Sequence, residues 1–391
     1  MDWIRSSLDD LAARDLLRDP PTCGTASDGP SDGRTISVDG TRYVSFGSNN
    51  YLALAGDARL AAAAGEAARA FGAGAGASRL IVGTLSIHRE LEEALAAFKG
   101  TEDAVLFSTG YQAGVAAVSA LAGASDAVVM DKLSHACLID GARASGARVR
   151  TYPHLKTVRM TELLERESKA RRRLVVTDSL FSMDGDVAPL NTIVSEAKRL
   201  DAMVVVDEAH ATGTMGPGGR GLVAENGVGC ERVVQMGTLS KALGGVGGFL
   251  AGSRVLCEYL RNVARSYIYT TAPAPAAVGA AIAALRIVAE EGRHLSALRA
   301  RAGEFRTSMG IAGEATPIVP VEVGTERRAL ECQAALKEEG YWVPAIRPPT
   351  VPRGRSRLRV SITAAHTAED VAALARALAR LGLRAESESD S

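Results

Sequence analysis

Aromatic residues make up only 4% of the 391-residue chain, and 45 Lys and Arg against 45 Asp and Glu leave no net charge. Without a basic excess there is no electrostatic footprint for nucleic acid and no polybasic patch for a membrane surface. No run of about 18 uninterrupted apolar residues occurs, so no membrane span is expected. The first twenty residues carry Asp2, Arg5, Asp9 and Asp10 and lack the apolar core of a signal segment. Cysteine is scarce and scattered, at Cys23, Cys137, Cys230, Cys257 and Cys332. An odd number without a C-x-x-C pair is neither a disulfide framework nor a zinc site, and it fits a reducing, cytoplasmic setting. The six histidines form no H-E-x-x-H cluster, so no metal is expected.

What is present is an ordinary folded composition, 47% hydrophobic and 23% charged, rich in glycine (40 residues). This length predicts a large domain plus a smaller one. Residues 3–17 read as a helix ended by Pro20-Pro21, and 22–34 as a mobile Gly/Ser/Asp loop. Thr35–Val38 and Arg42–Ser45 flank Asp39-Gly40, a type I′ hairpin signal. From 57 to about 270, short apolar runs (Ala104–Phe107, Ala127–Met130, Leu174–Thr177, Met203–Val206, Val233–Met236, Phe249–Ala251) alternate with segments of helical period. That pattern predicts an α/β fold with a mostly parallel sheet covered on both faces. A long helical region over 276–309, strands near 317–322 and 357–362, and helices near 326–339 and 367–381 predict a smaller α+β domain. The expected division is an N-terminal segment 1–56, a large domain 57–275 and a small domain 276–391. The polar tail 385–391 is expected to fray.

Ligands of parallel α/β sheets bind beyond the carboxyl ends of the strands, so the residues following each strand are the candidates. Asp207 ends the most apolar strand. A desolvated carboxylate there needs a positive partner, and a protonated pyridine nitrogen would serve; a helix cap or structural ion pair is the blander alternative. Asp207-Glu208-Ala209-His210 also spells the acidic box of some ATP-driven helicases, but no G-x-x-x-x-G-K-[ST] loop accompanies it. Lys241 follows a strand and precedes Gly244, Gly245, Gly247 and Gly248. A desolvated lysine is an amine nucleophile, and the glycines would let backbone approach a bulky ligand. The alternative is a surface lysine beside a flexible loop. Gly110-Tyr111 opens a helix, where backbone N–H groups can take a phosphate. His135 could stack on a ring or be a core histidine, and Ser182, Asp184 and Asp186 read as a turn. Gly72–Gly76 contains G-x-G without the preceding strand of a dinucleotide site.

Asp207-x-x-His210, Thr238-x-x-Lys241, Ser134-His135, Phe181-Ser182-Met183-Asp184-Gly185 and Arg357-Leu358-Arg359, in that combination, resemble the α-oxoamine synthases. These are pyridoxal-phosphate enzymes of the aspartate-aminotransferase fold (fold type I). The resemblance spans about residues 40–380, and the run Arg347-Pro348-Pro349-Thr350 is most similar to the biotin-pathway branch. It implies a PLP-dependent acyltransferase that condenses L-alanine with pimeloyl-CoA or a pimeloyl-carrier thioester, with loss of carbon dioxide. The alternative is the same chemistry with glycine or another amino acid and a different acyl-CoA. A non-catalytic binding module would not need Lys241, and a nicotinamide oxidoreductase would need the missing fingerprint.

By the same resemblance, Lys241 bears the cofactor and moves the Cα proton, Asp207 pairs with the ring nitrogen, and His210 bonds the ring hydroxyl. His135 stacks on the ring and meets substrate; Gly110, Tyr111, Ser182 and Thr238 line the cofactor site. Thr270 and Thr271 match a pair that reaches the neighbouring subunit's phosphate, which implies a homodimer. Asn49, Arg347, Thr350 and Arg18 match substrate-binding positions, with Arg347 gripping the amino-acid carboxylate. The chain departs from the usual family residues at Asn50 and Ala53 (usually Asp and Gly), at Ala77, and at Leu155-Lys156 (usually Asn-Asp).

Overall fold

The computed structural model describes residues 1–24, 32–229 and 231–383. The middle of the expected 22–34 loop, Cys230 and the 385–391 tail lie outside the described residues. The chain divides into two compact units, one comprising 54–182 and 186–295, the other 1–53, 183–185 and 296–391.

The larger unit is built on a seven-stranded sheet. Its order is Asp103–Phe107, Gly248–Gly252, Val233–Thr238, Met203–Asp207, Arg173–Asp178, Ala127–Asp131 and Arg148–Tyr152. The last five are mutually parallel. Gly248–Gly252 runs antiparallel to both neighbours, because the segment between it and Thr238 is too short for a crossover helix. Alternation within the strands feeds two cores. Val205, Val176 and Val128 point into a cluster with helices Gly110–Ser119, Ala136–Ser145 and Arg254–Val263. Val204, Val206, Val175 and Val129 point into the other, with helices Thr157–Arg166 and Leu190–Arg199. Both faces are therefore dry, and the near-continuous apolar strands follow from that.

The strand Arg148–Tyr152 has no counterpart among the expected elements. It is an edge strand, exposed at Arg148, Arg150 and Thr151, and an edge protected by charge does not show an apolar run. The expected long helix over 276–309 is two, Pro275–Glu290 and Arg293–Met309. The first packs on helices Ala58–Phe71 and Ser86–Lys99, so it belongs to the large unit, and the division falls after Leu295 rather than at 275.

In the smaller unit the Asp39-Gly40 hairpin forms with φ of 50° and 78°, the type I′ pattern. Strands Ile318–Gly324, Ser356–Ser361 and Ala345–Ile346 make an antiparallel sheet. The first helix stops at Ala13 rather than 17, because Asp15 turns to φ 54° and the N–H groups of Leu16 and Leu17 fold back to the Leu11 carbonyl. Two departures from the family residues fall on positive-φ positions, Ala53 here (φ 59°) and Leu155 in the large unit (φ 58°). Glycine and asparagine are at ease there, whereas Ala and Leu are strained. No described helix is long and apolar enough to cross a membrane.

Candidate active site

Each parallel strand ends at one edge of the large sheet, and the loops leaving those ends enclose a cavity of about 230 Å³. Seven of the residues singled out from the sequence line it: Gly110, Tyr111, His135, Asp207, His210, Thr238 and Lys241. The amine and the carboxylate on which the cofactor reading depends thus share one cleft.

Asp207 is 4% exposed and accepts the Ala209 N–H at 2.8 Å. Burial raises its pKa, and the positive charge of Lys241, then of His135, works against that rise. The Lys241 Nζ lies 2.9 Å from His210 Nε2, and His210 is itself buried. His135 caps helix Ala136–Ser145: its Nδ1 accepts the Cys137 N–H at 3.3 Å and lies 3.0 Å from the Cys137 sulfur. Burial lowers the His135 pKa against the pull of Asp207. His135 is exposed and lines the cleft.

Thr109 caps helix Gly110–Ser119 by accepting the Gln112 N–H, which leaves the first turn's N–H groups aimed out of the helix end. Thr238 Oγ lies 2.8 Å from Ser240 Oγ and donates to the Gly247 carbonyl, placing two hydroxyls beside that end. A side chain at Gly248 would stand 2.5 Å from the Gly110 Cα, and one at Gly244 would stand 2.5 Å from the Ala55 nitrogen. These two glycines admit the protein's own backbone rather than a bulky ligand, which corrects the expectation for this run. Tyr111 is half exposed, and its hydroxyl donates to the Asp140 carboxylate.

Thr270 accepts a 3.4 Å hydrogen bond from Gln112 of the same helix, and the Thr271 carbonyl accepts from Ser108 Oγ at 3.1 Å. Both threonines stand beside the helix end without lining the cavity, and Ser182 is likewise absent from the lining. In the smaller unit, Arg18 donates to the Pro348 carbonyl at 3.3 Å and Arg347 to the Asp15 carbonyl. Burial and then the facing Arg18 charge lower the Arg347 pKa, so two guanidiniums converge there. The Thr350 N–H donates to the Arg347 carbonyl at 3.2 Å. Asn49 accepts from the buried Arg359 at 3.0 Å.

The lining also includes Asp178, Cys137 and Ser240, to which the sequence reading assigned no role. Asp178 carried the same signal as Asp207, an acid directly after an apolar parallel strand. Cys137 carried none, because a buried cysteine is indistinguishable from a small core residue. The donor set suits a flat, cationic, phosphorylated group. It offers a buried acid with spare negative charge, imidazoles on two sides, a nucleophilic amine, and a helix N-terminus flanked by hydroxyls.

A family model described as aminotransferase class I and II matches residues 41–378. The chain is 48% identical to the 8-amino-7-oxononanoate synthase of Anaeromyxobacter dehalogenans strain 2CP-1, covering 97% of this chain and 95% of that one. It is 44% identical to the same-named protein of Aromatoleum aromaticum, covering 97% and 98%. Among solved structures, serine palmitoyltransferase from S. paucimobilis with a bound PLP–myriocin aldimine superposes with a TM-score of 0.89 at 31% identity, over 97% and 98% of the two chains. The 8-amino-7-oxononanoate synthase of Francisella tularensis gives 0.75 at 25% identity, over 87% and 96%.

Proposed function

We propose that this chain, which belongs to the class I and II aminotransferase family, condenses L-alanine with pimeloyl-CoA, or a pimeloyl-carrier thioester, to 8-amino-7-oxononanoate. Carbon dioxide and the thiol are the other products, and the setting is biotin biosynthesis. The cofactor is pyridoxal 5′-phosphate. The observation that carries the reading is the shared cleft of Lys241 and the buried Asp207, with His210 2.9 Å from the amine.

When bound, the cofactor supplies an electron sink for negative charge at the amino acid's Cα. Asp207 would hold the proton on the ring nitrogen, His210 would bond the ring hydroxyl, and His135 would cover a ring face. N–H groups of Gly110 and Tyr111, with the Thr238 hydroxyl, would receive the phosphate, and Ser182 would complete the cofactor site. Lys241 Nζ removes the Cα proton and returns it after carbon dioxide has left. Its closeness to His210 gives it a neighbour that can share the proton. Arg347 and Arg18, facing one another, supply paired positive charge for a substrate carboxylate, with Asn49 and Thr350 in the same unit. Thr270 and Thr271 would serve the phosphate of a second subunit in a homodimer. The consecutive Leu80, Ile81 and Val82, 50–74% exposed, support that assembly, since the Ser78–Thr271 bridge joins their segment to the threonines. The enzyme works in the cytoplasm on small-molecule substrates.

A second reading, the same condensation with glycine or serine and another acyl-CoA, is favoured by the TM-score of 0.89 to serine palmitoyltransferase. Offering alanine, glycine and serine with each acyl thioester separates the two by product. For the shared reading, the holoenzyme is yellow and borohydride abolishes the colour. Lys241→Ala loses the reducible colour and at least about 10³-fold in turnover, the scale of removing a nucleophile. A colourless, unreducible wild type after incubation with pyridoxal phosphate overturns it.

A further inference from the structure

Asp178 ends its strand as Asp207 ends the next, and the two are register partners across a parallel ladder. Such strands lie about 4.8 Å apart with partner side chains on the same face. Both acids line the cavity, and they are 3% and 4% exposed. Two carboxyl groups so close and so dry do not both ionise; one keeps its proton. The surroundings decide which. Asp207 faces the positive charge of Lys241, has the His135 ring beside it, and accepts the Ala209 N–H. Asp178 faces Asp207 and Asp131; the charge of Lys241 offsets them, His154 pairs with Asp131, and the neutral Cys137 and Tyr152 are also near Asp178. Burial, then the Asp207 charge, lift the Asp178 pKa well above the usual carboxylate range. Yet one Asp178 oxygen is already engaged, since Oδ1 accepts the His135 main-chain N–H at 3.1 Å. A neutral acid can accept there through its carbonyl oxygen and keep the proton on the other oxygen.

We propose that Asp178 is held as an uncharged carboxylic acid beside the ionised Asp207 and is a positioning residue for His135. The cavity then presents one negative charge rather than two where the ring nitrogen binds, while the His135 loop stays anchored. This rests on the pyridoxal-phosphate reading for what that charge faces. The protonation of Asp178 is read separately from the colour, so the two claims fail separately.

The test is an infrared difference spectrum of wild-type holoenzyme minus Asp178→Asn at neutral pH. The expected result is the C=O stretch of a buried protonated carboxyl group, present only in wild type; a carboxylate pair of bands in its place overturns the proposal. The asparagine keeps an acceptor for His135 and removes no charge. The pH midpoint of the visible band therefore moves by less than about 0.3 unit, whereas a shift of about one unit or more, that of deleting a neighbouring charge, is contrary. Asp178→Ala removes the anchor and lowers kcat by about tenfold to a hundredfold, the cost of a misplaced group. Equal turnover of the Ala and Asn variants overturns the positioning role. Should the Asn variant not fold, wild type carrying 13C-labelled aspartate carboxyls decides the matter: an isotope-shifted protonated band at neutral pH supports the proposal, and its absence overturns it.

Discussion

Asp207 and Glu208 are consecutive and both are buried, but they live in different electrostatic worlds. Glu208 is fully enclosed. Lys99 Nζ meets Oε2 at 2.6 Å, the Val223 N–H donates to Oε1 at 2.9 Å, and Lys99 also donates to the Arg220 carbonyl. Every charge there is answered by a neighbour, and Glu208 does not line the cavity that Asp207 lines. The Asp207 carboxylate accepts a hydrogen bond from the Ala209 N–H and lines a cavity that Lys241 and His135 also line. A buried charge that the fold satisfies by itself is structural. One that the fold leaves partly answered, at the wall of a cavity, waits for a ligand. Alternation along the strand end separates the two, since successive side chains point to opposite faces.

The sharpest way to break this contrast is at Asp207. Asp207→Asn is expected to keep the protein folded and able to take up the cofactor, with turnover lowered roughly 10²–10³-fold, the scale of losing one preorganised electrostatic group. Stopped-flow kinetics on the holoenzyme check it, and near-wild-type turnover contradicts the role. Glu208 predicts the opposite signature. Lys99→Met strands a buried carboxylate and costs about 3–5 kcal/mol of stability, while Lys99→Met with Glu208→Leu recovers most of it. Urea midpoints measure both variants, and an unchanged midpoint in the single variant refutes the structural assignment.

A third, milder case lies between them. His154 bridges Asp131 and Asp186 at 3.0 and 2.9 Å, with its ring edge-on to Phe181. Burial opposes its charge, but the two carboxylates outweigh burial and lift its pKa to about 10 from an ordinary 6.5. A raised folded-state pKa contributes stability that is complete below 6.5 and is lost as the pH climbs through about 10. His154→Gln therefore costs about 2 kcal/mol at neutral pH, the range of hydrogen bonds to charged groups. The gap from wild type closes toward pH 10, and thermal melts across that range that keep a constant gap would contradict this pairing.

Most of the cavity was legible because its residues follow apolar strands, and the carboxyl ends of parallel strands share one edge. Asp207, His210, Thr238, Lys241, Gly110, Tyr111 and His135 were found by that rule. Asp178 obeyed it too, yet its partnership with Asp207 depends on which strands adjoin, and chain order does not state that. The strand Arg148–Tyr152 was hidden because an edge tolerates arginines. Helix Pro275–Glu290 was placed with the wrong unit because an apolar helix does not name the surface it covers.

The amino-acid order alone determined the α/β alternation, the hairpin at Asp39-Gly40 and the chemical inventory at the strand ends. These follow from local periodicity, turn geometry and side-chain type. Only the tertiary structure decided the sheet order, the antiparallel course of Gly248–Gly252 and the division between Asp207 and Glu208. Those depend on contacts between residues far apart in the chain, where burial sets whether a charge is answered by the fold or left for a ligand.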